Sequence, residues 1–390
     1  MRRLLFFLLA TGLLASRAPG QSPTERLELL FTQDTTRAEW FAPPFLEQVP
    51  AEQVARIVRQ LRQDYGEWVG ATGRGIEYDV SLERANIPTR IVLDARGRIA
   101  GLFFGPPVPL IASREALLDS LRQLPGTVSL FVQQEGRDAM ALQPDTALAV
   151  GSAFKLAVLL ALRRALEAGR HRWDEVVRLR PEWKSLPSGF LHTWPEASPL
   201  TLHTLAALMI SQSDNTATDA LIHLLGRAPI EALAPRNRPF LTTREAFVLK
   251  NPANHARAQH FLEAGPAERT SLLPGLQALP LPDESLFADG PVRPEVEWFF
   301  SARELCTLIS AVYDLPVMQI NPGLARREDW QLVAFKGGSE PGVLNLTTYL
   351  VDHQNRHHCI SATWNHTDVL DQARFAGLYR RLLQQLRTQP

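Results

Sequence analysis

Apolar residues recur along this chain with two different periods, and the switches between them mark out its elements. Across Ala51 to Tyr65, the residues Val54, Ile57, Val58 and Leu61 follow the i, i+3, i+4, i+7 spacing of an amphipathic helix. Glu77 to Glu83 and Thr89 to Phe104 read instead as strands, the second as a hairpin turning at Arg96-Gly97. The run ends at Gly105-Pro106-Pro107, a turn-forming cluster. A small α+β domain over residues 21–107 is therefore expected, with ordinary core patterning and no catalytic cluster.

Beyond it the pattern changes. A helix is expected over Ser113 to Gln123, followed by strands over Val128 to Gln133 and Ala139 to Leu142 that turn at Glu135-Gly136. The next helix, Phe154 to Ala168, has no polar residue between Lys155 and Arg163, and Gly169 supplies its stop. A helix apolar on every side must be buried. Gln331 to Phe335, Asn345 to Val351 and His358 to Trp364 read as three successive antiparallel strands, and Val369 to Leu386 as a closing amphipathic helix. First and last strands in one sheet, with an all-helical middle from Leu156 to about Tyr313, make residues 108–390 a domain of sheet plus helical cluster.

A length of 390 residues favours two domains. Forty-one basic and forty-one acidic residues leave no net charge, hence no global field for a polyanion, and nucleic acid is not an expected partner. Arg2-Arg3, an apolar run from Leu4 to Ala15, and Ala18-Pro19-Gly20 read as an export signal over residues 1–20. The run is shorter than the roughly 20 residues of a membrane span, so no stable span is expected. The mature chain, beginning near Gln21, is expected to be secreted or periplasmic and a monomer; an uncleaved N-terminal anchor is the alternative. In that compartment Cys306 and Cys359 could pair, but two buried apolar thiols is the favoured reading. With no H-E-x-x-H and no C-x-x-C, neither a metal nor another cofactor is expected.

Three short clusters carry the chemistry: Ser152-Ala153-Phe154-Lys155, Ser213-Asp214-Asn215 and Lys336-Gly337-Gly338. A serine three residues before a lysine on a helix puts hydroxyl and amine on one face. The hydroxyl needs an adjacent base to attack an acyl carbon, so Ser152 is the candidate nucleophile and Lys155 the candidate base. An ordinary lysine, with a pKa of about 10.4, is protonated at neutral pH. Burial and the charge of Lys336 are expected to depress it.

The three clusters, in this order, resemble the S-x-x-K, S-D-N and K-T-G set of class A β-lactamases and penicillin-binding proteins. The likeness runs over roughly Ser113 to Leu386. It extends around the second cluster to Leu202-His203-Thr204-Leu205-Ala206-Ala207-Leu208-Met209-Ile210 and to Asn215-Thr216-Ala217-Thr218-Asp219. The resemblance implies a β-lactamase/transpeptidase-like fold, a relay role for Ser213 toward the leaving group, and substrate binding by Asn215, Gly338 and Ser339. It also implies that Lys336 attracts the substrate carboxylate, and that the backbone N–H groups of Ser152 and Ser339 form an oxyanion hole. The added N-terminal domain makes the whole similar to a two-domain group that includes a protein of the clavulanic acid gene cluster, whose small domain is like a steroid isomerase.

Two departures matter. Gly337 stands where that family has Ser or Thr, which removes a hydroxyl for the substrate carboxylate. No R-x-x-x-E-L-N signature follows the second cluster; Glu245 is the nearest candidate for a deacylating base, although a helix-capping carboxylate after Thr242-Thr243 is the favoured reading. Ser188-Gly189 reads as a surface turn, with a cleft-lining role as the alternative. The expected function is a serine acyl hydrolase with a small-molecule substrate, first a β-lactam, then an ester or a peptidoglycan-type peptide. From another class, an acylated binding or sensing protein without turnover stays open.

Overall fold

The computed structural model describes residues 22–33, 35–110, 113–287 and 290–387; the expected export signal lies outside these residues. The chain divides into two compact units, Met1–Leu110 and Ile111–Pro390.

In the smaller unit, α1 (Pro23–Thr32) starts on a capping box in which Ser22 and Glu25 satisfy each other's backbone N–H groups. Then follow α2 (Pro43–Leu46) and α3 (Ala51–Tyr65). The antiparallel strands β1 (Trp68–Arg74), β2 (Glu77–Leu82), β3 (Ala85–Leu93) and β4 (Ile99–Phe104) lie in that order, and β5 (Val108–Pro109) pairs with β3. Leu27, Leu30 and Phe31 of α1 and Val54 and Val58 of α3 pack with Val80, Ile87, Ile91 and Ile99 of the sheet. Four of these elements, α1, α2, β1 and β5, are not expected from the sequence pattern. The sequence of β1, Trp-Val-Gly-Ala-Thr-Gly-Arg, carries two glycines, which weaken a strand signal.

The larger unit begins with α4 (Arg114–Arg122), β6 (Thr127–Gln134), β7 (Arg137–Leu142) and β8 (Leu148–Ala149). A 3₁₀ turn, Gly151–Phe154, then leads into α5 (Lys155–Glu167). The middle is mostly helical but not wholly so. Short strands β9 (Val176–Arg178) and β10 (Pro199–Thr201) pair with each other ahead of α6 (Leu202–Ser211), α7 (Asn215–Leu225), α8 (Ala228–Glu231), α9 (Thr243–Lys250), α10 (His255–Glu263) and α11 (Pro266–Gln277). β11 (Phe299–Phe300), which pairs with β8, precedes α12 (Ala302–Ser310). The last elements are β12 (Leu332–Glu340), β13 (Val343–Val351), β14 (His357–Asn365) and α13 (Gln372–Arg387).

The main sheet runs β12-β13-β14-β6-β7, all antiparallel, so the last three strands add onto the first two. One of its faces packs with α4 and α13 through Leu117, Leu121, Phe375, Leu378 and Leu382. The other shares a core with α5, α6, α7 and α12, in which Leu156, Leu159, Leu205, Leu221 and Leu305 are fully buried. Residues on both faces of β13 are buried throughout, as a strand covered on two sides requires. β12 is an edge strand and is four residues longer than expected, so Lys336-Gly337-Gly338 lies inside it in unbroken register with β13 rather than in a bulge beyond it.

Cys306 and Cys359 form a disulfide joining α12 to β14, which corrects the expectation of two free buried thiols. The residue types alone carried no information on pairing, because the two cysteines meet only when α12 lies across the sheet. The bridge closes a long loop, with a sequence separation of 53, and restrains the unfolded chain. Replacing both residues by alanine is expected to lower the unfolding free energy by about 2–4 kcal/mol, read as a lower midpoint in urea titration with reductant absent.

Candidate active site

Ser152 sits in the 3₁₀ turn and Lys155 opens α5, so the chain enters the helix with hydroxyl and amine already near its N-terminal end. Lys155 is fully buried. Its ammonium donates to the Ser213 carbonyl at 2.5 Å, to Asn215 Oδ1 at 2.6 Å and to Ser213 Oγ at 3.2 Å. No hydrogen bond joins it to Ser152 among the described residues, so the expected direct pairing is replaced by a shared position at the end of α5. Lys336, on β12, donates from the other side to Ser213 Oγ at 3.0 Å. Ser213 Oγ thus stands between two lysines.

That position demands an unusual backbone. Ser213 has φ of 56°, in the left-handed region that a side-chain-bearing residue enters at a cost. The following Asp214 holds it there. Its carboxylate caps α7 by accepting from Ala217 N–H at 2.9 Å, and it accepts from Phe190 N–H at 2.7 Å and Leu191 N–H at 2.9 Å. Gly189, with φ of 85°, passes so close that a Cβ would fall 2.2 Å from Asp214 Oδ2. Asn215 completes the fit by donating Nδ2–H to Leu186 O at 3.0 Å and its own backbone N–H to Ser188 O. The 186–189 segment is therefore a wall of the site, and Ser188 lines the cavity, which settles its reading in favour of the cleft over the surface turn.

Gly338 closes the other side. A Cβ there would lie 2.2 Å from Val150 O and 2.5 Å from Ser152 N, so only glycine lets β12 press against the 3₁₀ turn. A Cβ on Gly151 would in turn stand 3.2 Å from Ser339 N. The 3₁₀ turn and β12 are therefore in close contact at Ser152 and Ser339, whose backbone N–H groups are the candidates for an oxyanion hole.

Electrostatics follow from burial. Desolvation, then the charge of Lys336, hold the Lys155 amine well below the ordinary lysine range. Burial brings Lys336 down to about 7. A neutral amine beside Ser152 near neutral pH is what a hydroxyl nucleophile needs.

Residues 112–271 match the model of the β-lactamase enzyme family. Over these residues the larger unit is similar to the β-lactamase-like serine hydrolases. Among solved structures, the chain is similar to a β-lactamase from Sphaerobacter thermophilus DSM 20745, at 20% identity, over 71% of this chain and 97% of that one, with a TM-score of 0.51. It is also similar to a representative of class A β-lactamase from Bacteroides cellulosilyticus DSM 14838, at 14% identity, over 70% and 97% of the two chains, with a TM-score of 0.50. At such identities the likeness is one of fold. No curated protein sequence matches the chain.

In this hydrolase Glu245 is not placed as a deacylating base. It is the third residue of α9, where its Oε2 accepts from Thr242 N–H at 2.8 Å in a capping box and its Oε1 accepts from Arg227 Nη2 at 2.7 Å. It is buried and does not line the cavity. What α9 presents there is Thr243, Ala246, Phe247 and Lys250. Gly337 also has a local cause, since a Cβ would lie 2.9 Å from the Phe335 ring and 3.0 Å from Asn345 O.

Two supports of the site have roles that no local pattern in the sequence shows. Asp219 accepts from Thr243 N–H at 2.7 Å and Arg244 N–H at 2.9 Å, fixing the start of α9, and burial raises its carboxyl to about 7. Lys250, at the other end of α9, is buried against both Glu297 and Glu340. Burial alone would lower its pKa, but the two carboxylates push it up; burial and the neighbouring Glu340 push Glu297 up. These partners lie too far apart in sequence for any local pattern to link them.

The paired lysines predict a pH profile. The population of neutral Lys155 grows as pH rises through its depressed pKa, so acylation should rise along an acidic limb. Removing the Lys336 charge raises the Lys155 pKa, so Lys336→Met is expected to move that limb toward alkaline pH as well as to lower the plateau. The pH dependence of single-turnover acylation checks it; an unmoved limb would separate the two lysines electrostatically.

Proposed function

We propose that this hydrolase acylates itself at Ser152, with a β-lactam as the first substrate class, and that it releases the acyl group slowly. The observation that carries the reading is the fully buried Lys155, bonded to Ser213 and Asn215 and facing Lys336 through one serine hydroxyl. Ser152 Oγ attacks the lactam carbonyl carbon while its proton passes to the neutral Lys155 amine. Negative charge on the carbonyl oxygen falls to the Ser152 and Ser339 N–H groups, a contribution of about 3 kcal/mol per donor in acyl-transfer sites. The carbon–nitrogen bond then breaks, and Ser213 Oγ, between the two lysines, delivers its proton to the leaving nitrogen and takes the one that Lys155 received from Ser152, which returns Lys155 to its neutral form. Lys336 attracts the substrate carboxylate.

Hydrolysis of the resulting ester needs a water with its own base. None of the α9 residues on the cavity is a carboxylate, Glu340 is bound to Lys250, and Glu284 is exposed to solvent. This supports slow deacylation. The missing hydroxyl at Gly337 favours a second reading, an esterase, because a simple ester brings no carboxylate to be recognised. Export of the chain is part of the proposal: the composition of residues 1–20 supports it, and a disulfide suits an oxidising compartment.

Stopped-flow kinetics with a chromogenic cephalosporin is expected to give a burst of about one equivalent and then a weak steady state. Fast linear turnover without a burst would overturn slow deacylation. Glu245→Gln is expected to leave both phases unchanged while lowering the melting temperature, because its carboxylate pairs with Arg227 and caps α9. By intact mass, wild type but not Ser152→Ala should carry the covalent adduct; an adduct surviving in the variant would remove Ser152 from its role. A permanent adduct with no steady state at all would make the protein an acylated binder.

A further inference from the structure

The site has a direction along β12. Lys336 and Ser213 mark one end, where the leaving group takes its proton. Gly338 and Ser339 follow at the oxyanion donors, and Glu340 comes next. On an extended strand, residues two apart share a face about 7 Å from one another. Lys336, Gly338 and Glu340 therefore stand in line, and a substrate whose leaving group lies at Lys336 extends its acyl side chain toward Glu340.

A cavity of about 240 Å³ opens on that side. Ser152, Ser339 and Glu340 line it, whereas Ser213 and Lys336 do not, so it is a pocket for the acyl portion of the substrate. Its apolar walls are aromatic. Trp298 stacks on Phe154 with ring centroids 3.8 Å apart, and Phe247 meets Phe287 edge-on at 5.2 Å. Its charge is acidic. Among the described residues Lys250 is the only cation on the lining, and it is held between the carboxylates of Glu340 and Glu297. Behind it, Glu297 Oε2 is buried without a partner among the described residues. Burial and Glu340 push Glu297 toward its neutral form, so the charge that faces the cavity is that of the lining itself, the two carboxylates Glu340 and Glu284 against the single Lys250 ammonium.

We propose that Glu340 selects acyl groups that carry a primary ammonium next to an apolar or aromatic body. The inference rests on the acyl-enzyme reading above and adds the substrate's acyl chemistry to it. The ammonium supplies a second cation to a lining that holds two carboxylates, Glu340 and Glu284, and the aromatic walls accept both the apolar body and, through their ring faces, the charge. Partial burial keeps such a pair from being screened as an exposed one is.

The test compares two β-lactams that differ in one amine, benzylpenicillin and its α-amino analogue, by acylation rate per unit concentration. Wild type is expected to favour the amine by about tenfold, with the preference shrinking as salt is raised. Glu340→Gln should abolish the preference, read as the ratio of the two acylation rates within that variant, whatever its effect on both rates together; Lys250 keeps Glu297 as its partner there, and a melting curve verifies folding. Equal rates on wild type, or a preference that survives Glu340→Gln, overturn the inference. If neither compound acylates Ser152, the β-lactam reading fails by itself. The p-nitrophenyl esters of the same two acyl groups then decide the acyl preference, and equal ester rates on wild type overturn it even where Glu340→Gln does not fold.

Discussion

Two lysine amines buried around one serine hydroxyl impose the terms that the rest of the larger unit meets. A charged ammonium taken out of water is costly unless it is paired, and Lys155 has no hydrogen bond to a carboxylate among the described residues. Its partners are a carbonyl, an amide oxygen and a hydroxyl, all from Ser213 and Asn215. Neutrality of the amine relieves the cost, and the same neutrality makes it a base. Folding and chemistry here draw on a single desolvation.

That arrangement holds only if Ser213 stays in its left-handed backbone. Asp214 secures it by collecting three backbone N–H groups, and Gly189 exists as glycine because Asp214 occupies the space a side chain would need. Asp219 does the same for the next element, holding the first turn of α9 by two N–H groups. Neither carboxylate lies on the cavity lining. Both set where its walls stand, so the site owes its shape to buried acceptors that themselves bind backbone.

The opposite wall is set by steric closeness. Gly338 lets β12 reach the 3₁₀ turn, and the Lys250 contacts to Glu297 and Glu340 tie α9 to the end of the same strand and to the segment before β11. A buried ion pair of this kind contributes little net stability against an apolar replacement, so its place on an active-site wall points to positioning.

Local sequence determined a good deal. The helix Ala51–Tyr65 has the expected bounds because its apolar stripe is regular and Gly66 stops it. The three clusters were legible because Ser152, Ser213 and Lys336 each sit in a short string with a recognisable neighbour. Glu245 was legible as a cap, since Thr242 stands three residues before it. What only the tertiary structure decided are the contacts that close over long separations. The pairing of Cys306 with Cys359, the crossing of β12 over the Ser152 turn, and the junction of Lys250 with two distant carboxylates have no period and no neighbour in sequence. They arise when the last three strands add to the first two, which places residues from both ends of the larger unit around one serine.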